Sequence, residues 1–339
     1  MSIVALKAVT VTAAADLLDS LTNPLSIIGW QGALRFTALG LAVLGLRRGF
    51  GQTDDRLRLF PPKVFLSRST YQDLGIIVVT AFLLAIPATL WVSIDDETKR
   101  LVGAIASSVN GTLDAMLGAS VAGQSPHAAV IRTIRVIVVL LSVDFATYCY
   151  HNIMHRVPWL WEFHKIHHSA AVLTPLTSQR VHICEHVLRS AAVTVVLGTA
   201  LGFASRLSGK SAADVALGLS IYSYLFVYVL LLNHSHIWWS WGKAEYVLNS
   251  PAMHAIHHSR DPKHFNKNLG NLLSIWDLAF GTFHKTTKKP EQIEFGVDDG
   301  FAWGSASQLH LFARPFIAIL QRRIKVQRPP KSEVIPDRL

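Results

Sequence analysis

Two apolar stretches constrain the fold of this chain more than any other feature. Residues 73–94 and 213–233 each contain one acidic residue and no basic residue. Each is long enough to cross a bilayer as a helix, which takes about 20 residues. Weaker stretches lie at 26–46, 130–150 and 188–205. The sequence therefore predicts an all-α, polytopic membrane protein with about five transmembrane helices, and a soluble all-helical protein is the alternative.

The charge distribution supports a membrane protein rather than a nucleic-acid-binding one. The formal net charge is +10, but only 16% of the residues are charged and 50% are hydrophobic. Basic residues gather beside apolar stretches, as in 47–63, which is typical of cytoplasmic membrane loops. We therefore expect no nucleic-acid partner. The two cysteines, Cys149 and Cys184, form no C-x-x-C motif and no disulfide framework.

The same charge pattern predicts an orientation. If 47–68 is cytoplasmic, the connector DDETKR at 95–100 lies on the outer side, and the small-residue stretch 101–128 is interfacial or re-entrant. Spans 188–205 and 213–233 then form a helical hairpin that crosses to the outer side and returns to the cytoplasmic side. All histidine-rich segments consequently fall on the cytoplasmic side.

Histidines recur at helical spacing. HKIHH at 164–168 and HAIHH at 254–258 are both H-x-x-H-H, and HNIMH at 151–155 precedes them. One H-x-x-H-H arises by chance with a probability of roughly 0.03 at this histidine content. Positions i, i+3 and i+4 share a helix face, so each motif gathers its imidazoles. Eight imidazoles exceed the four ligands of one zinc ion and fit two metal ions, although ligand type alone does not select the metal.

The order and surroundings of these motifs resemble the fatty acid hydroxylase / sterol desaturase superfamily over roughly 140–285. RVHICE (180–185) is similar to its R-x-H-P-x-E, with Ile183 in place of proline. LLNHSHI (231–237) is similar to H-S-N, with His236 in place of asparagine. NKNLGNLLSIWDLAFGTF (266–283) resembles the N-Y-G…W-D…F-G-T ending, with Leu269 in place of tyrosine.

The resemblance implies a set of site residues and a division of the chain. The implied metal ligands are nine histidines: His151, His155, His164, His167, His168, His234, His254, His257 and His258. Four further residues are candidates for supporting those ligands: Asp144, His182, Glu185 and His236. The predicted domains are an N-terminal membrane region at 1–129, a hydroxylase/desaturase-like catalytic domain at 130–290, and an interfacial helix with a flexible basic tail at 291–339.

The resemblance also implies a chemistry. We expect two iron ions, with zinc as an in vitro substitute, and O2 as co-substrate for hydroxylation or desaturation of an unactivated C–H bond in a membrane lipid. No Gly-rich nucleotide fingerprint is present, so a separate ferredoxin-, cytochrome- or reductase-type electron donor is expected. The expected location is a bacterial inner membrane or an ER-type membrane, with a helical cap and the active site on the cytoplasmic face. The lipid remains open among sterols, fatty acyl chains, sphingolipids and related molecules.

Two rival functions have weaker support. HICEH at 182–186 fits the H-x-x-E-H motif of inverted zinc proteases, with His182 and His186 as ligands and Glu185 as the base. That function would leave the other histidine motifs unexplained. A histidine-based metal transporter is the second alternative, but its site is expected near the bilayer midplane. These motifs lie instead among basic residues outside the apolar stretches.

Overall fold

The computed structural model describes residues 61–85, 88–117, 128–208 and 232–327, together with 217, 218, 221, 222 and 225. In chain order, the α-helices of these residues are α1 Pro62–Phe65, α2 Arg68–Ala85, α3 Ala88–Leu117, α4 Ala128–Arg156, α5 Pro158–His168, α6 Ile183–Ser208, α7 Pro251–His257, α8 Ile275–Phe280 and α9 Gln308–Gln327. The described residues form no β-strand, only isolated bridges between Leu248 and Leu273 and between Ser259 and Phe295. The prediction of an all-α chain is confirmed for this part of the protein.

The predicted spans are tested only in part. Within the described residues, one segment is long and apolar enough to cross a membrane by length and composition, Ile183–Phe203 in α6. It overlaps the predicted span 188–205. The span 26–46 lies outside the described residues, as does most of 213–233. The five-span topology, the cytoplasmic face and the domain boundaries stay predictions.

One predicted span crosses positions that the structure does not describe. The stretch 73–94 is helical up to Ala85 in α2 and from Ala88 in α3, and positions 86 and 87 lie outside the described residues. Its role as a single span stays a prediction. Residues 95–100 and 101–117 lie within α3, which runs from Ala88 to Leu117. The outer location predicted for 95–100 and the interfacial or re-entrant location predicted for 101–128 stay predictions. The charged DDETKR stretch contains no glycine or proline that would end the helix.

Helix α6 packs against both α3 and α4. Its contact with α3 depends on two glycines four residues apart, a spacing that lets helix backbones approach closely. A methyl group at Gly202 would lie 2.5 Å from Val109 Cβ and 2.8 Å from Ala106 O, and one at Gly198 would lie 2.9 Å from Ile105 Cβ. The close α3–α6 contact therefore excludes any larger residue at these positions.

We expect Gly202→Ala to destabilise the protein by about 1–3 kcal/mol, because the added methyl group overpacks the α3–α6 contact. Gly103→Ala is the matched control, since a methyl group there meets no atom within 4 Å. Alanine in an open helical position is favoured over glycine by roughly 0.5–1 kcal/mol. Thermal unfolding in detergent should show a lower midpoint for the first variant and an equal or higher one for the second. A lower midpoint for both would contradict the packing argument.

Helices α4 and α5 meet at a sharp bend. Helix α4 ends at Arg156, and α5 begins at Pro158, which lacks a backbone N–H and suits the first position of a helix. Met154 near the end of α4 packs with Leu160 and Phe163 of α5 in a buried cluster. The bend therefore directs the last turns of α4 and one face of α5 at the same space.

The C-terminal segment covers the other side of α5. Ile166 of α5 packs with Ile76 of α2, with Trp303 and with Leu311 of α9. The Lys165 ammonium is buried and donates to Asp299 at 3.0 Å. Helix α5 is thus held between α4, α2 and α9.

Candidate metal centre

Four segments supply the nine predicted histidine ligands. One buried region receives histidines from the last turns of α4, from the C-terminal half of α5, from His234, and from α7 with its C-cap residue His258. Helix α7 begins at the motif's proline, and the Ser250 Oγ accepts a hydrogen bond from Met253 N at 3.2 Å, a typical N-cap. A short, capped helix fixes the direction in which its histidines point.

The histidines divide into two groups. Within each group, the candidate ligand nitrogens all lie within 4.8 Å of one another. The five-histidine cluster comprises His151, His155, His164, His168 and His257. The four-histidine cluster comprises His167, His234, His254 and His258. All nine predicted positions are therefore brought together, and within the described residues no other group of three potential ligands converges in this way.

Each H-x-x-H-H motif supplies two histidines to one cluster and one histidine to the other, and the two motifs do this in opposite ways. In HKIHH the outer pair, His164 and His168, joins the five-histidine cluster, while His167 joins the other. In HAIHH the outer pair joins the four-histidine cluster, while His257 crosses over. Each cluster therefore needs both α5 and α7, and neither motif is a site by itself.

The ring nitrogens of the four-histidine cluster are too crowded for a hydrogen-bond network. His234 Nε2 lies 3.1 Å from His167 Nε2 and 3.0 Å from His254 Nε2. His254 Nε2 also lies 3.1 Å from His258 Nε2. One imidazole nitrogen carries either one proton or one lone pair, so it makes a single in-plane hydrogen bond. Converging nitrogens of this kind suit a cation that accepts several lone pairs at once.

The five-histidine cluster shows the same need for a cation. The Nε2 atoms of His155, His168 and His257 are buried without a hydrogen-bond partner in the structure. A buried polar atom left unpaired costs about 1–3 kcal/mol. Lone pairs donated to a metal ion would remove this cost.

Backbone carbonyls orient two of these histidines from behind. His151 Nδ1 lies 2.8 Å from Leu269 O, and His257 Nδ1 lies 2.9 Å from Lys267 O. A carbonyl only accepts, so both Nδ1 atoms donate, and each Nε2 keeps its lone pair for a metal. Sequence reasoning missed this support, because a backbone carbonyl leaves no residue signature.

Glu185 orients a third ligand. Its Oε2 accepts from His164 Nδ1 at 2.8 Å, and both side chains are almost fully buried. Tyr150 OH donates to the same oxygen at 3.2 Å. A carboxylate behind a ligand imidazole fixes its tautomer and raises its basicity. The structure thus places Glu185 where a ligand-supporting residue is expected.

Asp144 has a different role from the two that its position in the sequence predicts. Helical spacing predicts contact with an imidazole, or a charge beside the headgroups. In the structure Asp144 is fully buried and accepts from Trp276 Nε1 at 2.9 Å and from the backbone N–H groups of Leu272 and Leu273. Tyr222 OH donates to it at 3.2 Å. These hydrogen bonds anchor the loop before α8 against α4, the helix that carries Asp144.

His182 and His236 belong to neither cluster. His182 donates through Nε2 to Phe312 O at 3.2 Å and accepts at Nδ1 from Cys184 N at 3.1 Å, so it caps α6 and contacts α9. The His236 ring packs edge-on against Phe65. His186 Nδ1 contacts Arg189 at 3.2 Å. The H-x-x-E-H residues therefore do not converge on one metal position.

Burial favours the neutral form of five cluster histidines in α5, α7 and the C-cap of α7. Loss of hydration, followed by repulsion from neighbouring imidazoles, lowers the pKa of four of them well below the usual value: His167, His168, His254 and His258. Burial also lowers the pKa of His257 to about 3. Neutral imidazoles keep their lone pairs at physiological pH, as metal binding requires. An all-imidazole donor set fits iron and zinc alike.

We expect the metal-free protein to lose stability as the pH falls below about 6.5. The folded state holds His257 and its neighbours neutral, whereas the unfolded chain protonates them near that pH. The unfolded state therefore binds more protons, and its advantage grows as the pH decreases toward the folded pKa. Thermal midpoints of chelator-treated protein between about pH 5 and pH 8 should fall on the acidic side. A constant or rising midpoint would contradict the burial of neutral imidazoles.

Part of the chain is similar to a hydroxylase family and to individual lipid hydroxylases and monooxygenases. Residues 136–282 match the family model described as fatty acid hydroxylase. An ornithine lipid hydroxylase of Rhizobium tropici is 26% identical over 208 residues, 60% of this chain. Human alkylglycerol monooxygenase is 29% identical over 152 residues, 44% of this chain. Human cholesterol 25-hydroxylase is 24% identical over 144 residues, 42% of this chain.

These relatives are matched over part of their length. The aligned region covers 56% of the ornithine lipid hydroxylase, 30% of the alkylglycerol monooxygenase and 48% of the cholesterol 25-hydroxylase. No solved structure matches the chain significantly. The matched region of the family model contains every histidine of both clusters.

Proposed function

We propose that the chain is a member of the fatty acid hydroxylase / sterol desaturase superfamily, since residues 136–282 match the fatty acid hydroxylase family model, and that it is a membrane-bound, non-haem di-iron hydroxylase. Its substrate would be a membrane lipid with an unactivated C–H bond, and its co-substrate O2. The observation that carries the proposal is the division of nine buried histidines into two compact clusters.

The two clusters would hold one iron ion each. Bound iron would activate O2, so that one oxygen atom enters the C–H bond and the other leaves as water, with two electrons from a separate donor. The protein's contribution is binding, orientation and exclusion of water. His151, His164 and His257 are oriented by their outer hydrogen bonds before any metal arrives. All nine histidines except His155 are buried, which keeps bulk water from the reacting atoms.

A lipid substrate agrees with exposed apolar side chains on α4, α5 and α8. Ile153 of α4 is 50% exposed, Trp159 of α5 is 52% exposed and Phe280 of α8 is 53% exposed. Large exposed apolar side chains mark interaction surfaces in proteins. We propose that these helix ends face the bilayer, so that an acyl chain or ring reaches the clusters from the membrane while a soluble electron donor approaches from the cytoplasm.

Hydroxylation is favoured over desaturation. The three relatives are named as two hydroxylases and one monooxygenase, and their names refer to three chemically different lipids. We therefore propose oxygen insertion as the reaction and leave the lipid class unassigned. Protease chemistry is disfavoured because His182, Glu185 and His186 make separate contacts. A transporter is disfavoured because buried, pre-oriented ligands suit a resident metal rather than a moving one.

The experiment is comparative lipid mass spectrometry under ¹⁸O2. Membranes from cells that express the wild-type chain should contain a lipid heavier by one labelled oxygen atom, absent from cells that express His167→Ala. A lipid lighter by two hydrogens would show desaturation instead. An unchanged lipid profile in cells that contain the iron-loaded protein and an electron donor would contradict the proposal.

A further inference from the structure

The two clusters differ in the hydrogen bonds that their histidines make through the outer ring nitrogen, the one facing away from the cluster. In the five-histidine cluster, three ligands donate their outer nitrogen to a fixed acceptor, and one of those acceptors is the Glu185 carboxylate. In the four-histidine cluster, the Nδ1 atoms of His167 and His254 are buried with no acceptor in the structure. The difference concerns orientation and charge, not the type of ligand.

The two carbonyl acceptors come from one rigid loop, residues 266–270. Asn266 and Asn268 adopt left-handed backbone conformations, with φ of 57° and 52°. Asparagine adopts this conformation more readily than most residues. The Asn268 side chain donates to Met253 O at 3.1 Å and accepts from His284 N at 2.7 Å. The loop is thereby fastened to α7, which carries His257.

Asp277 fixes the other end of the same loop. Its carboxylate accepts from Leu269 N at 2.7 Å, from Gly270 N at 2.8 Å and from Thr282 Oγ1 at 2.5 Å. Asp277 is fully buried. Because Leu269 O accepts from His151, Asp277 is a positioning residue for a ligand that it does not touch.

We propose that the five-histidine cluster binds its metal ion more tightly than the four-histidine cluster. The inference rests on the proposed function, because it assumes that both clusters hold a metal. Ligands already oriented lose less conformational freedom on binding, and a carboxylate behind an imidazole makes it a stronger donor. The protein then has a stable one-metal form, with the ion in the five-histidine cluster, and exchanges the second ion first.

Release of metal from the full-length protein in detergent tests the order. Protein loaded with Zn²⁺ is dialysed against increasing chelator, and bound zinc per chain is measured at each step. We expect two release steps in the wild type, separated by at least about 10-fold in free zinc. His234→Ala should retain only the tight step, and His257→Ala only the weak step.

Two further variants test whether the outer hydrogen bonds cause the tighter metal binding. Glu185→Gln should shift the tight step toward the weak one by about 10–100-fold, the usual cost of removing a ligand's outer partner. Asp277→Asn acts through the Leu269 carbonyl and should shift the tight step in the same direction by a smaller factor. Both variants should leave the weak step unchanged. Glu294→Gln is the matched control, because this carboxylate is 73% exposed and pairs with Arg260 away from both clusters. Its release curve should follow the wild type.

The outcomes separate this inference from the proposed function. Release of both ions in one step, or loss of the tight step in His234→Ala, would overturn the inference while leaving a two-metal centre. A tight step that is unchanged in both Glu185→Gln and Asp277→Asn would also overturn it. Wild-type protein that binds no zinc and no iron would refute the proposed function itself.

Discussion

His257→Ala is expected to abolish lipid hydroxylation and to reduce bound iron by about one ion per chain. His257 is the single residue that α7 contributes to the five-histidine cluster. Its Nε2 is buried without a hydrogen-bond partner, and its Nδ1 is engaged with Lys267 O. Removing the ring deletes a ligand that no neighbouring side chain on α7 replaces. The measurement is iron per chain, with hydroxylated lipid by mass spectrometry.

His310→Ala is the control for this prediction. His310 lies on α9, is exposed and contacts Ser307 rather than any cluster histidine. We expect its iron content and activity to equal those of the wild type. Full iron content in His257→Ala, or equal losses in both variants, would refute the assignment of His257 as a ligand.

Arg180→Met is expected to destabilise the protein by about 3–5 kcal/mol, the cost of leaving a buried charge without its partner. Arg180 and Asp73 are both fully buried, and their side chains lie 2.8 Å apart. Arg180 also donates through Nε to Ile166 O at 2.9 Å and through Nη2 to Ser169 Oγ at 2.8 Å. It therefore ties the C-terminal end of α5, which carries three cluster histidines, to α2.

A matched pair of variants separates the buried charge from general damage. Arg260→Met removes the exposed Arg260–Glu294 ion pair, and pairs of that kind are worth about 0–1 kcal/mol. The double variant Arg180→Met with Asp73→Leu should recover part of the loss, because it leaves no unpaired charge. Thermal unfolding in detergent is the measurement. Equal midpoints for Arg180→Met and Arg260→Met would contradict a structural role for the buried pair.

The histidines that converge in the site were predictable from sequence, whereas their division between the two clusters was not. Helical spacing and the family resemblance identified the nine histidines that converge in the structure. The exchange of His167 and His257 between the clusters was not predictable, because it depends on how α5 and α7 face each other. Spacing within one helix carries no information about that tertiary arrangement.

The supporting residues show the same limit. Glu185 was a candidate because of its motif, and it does contact His164. Asp144 was a candidate because of helical periodicity, but the loop before α8 occupies its face of α4. The carbonyls of residues 267 and 269 had no sequence signature at all. Long-range backbone contacts decide these roles, and local patterns do not report them.

The position of the metal ions tests the central claim most directly. Crystals of iron-loaded protein, measured at the iron absorption edge, should give two anomalous difference peaks in each chain. One peak should lie among the imidazoles of the five-histidine cluster and the other among those of the four-histidine cluster. A single peak shared by both clusters, or a peak between His182 and His186, would contradict a two-metal centre built from the nine histidines.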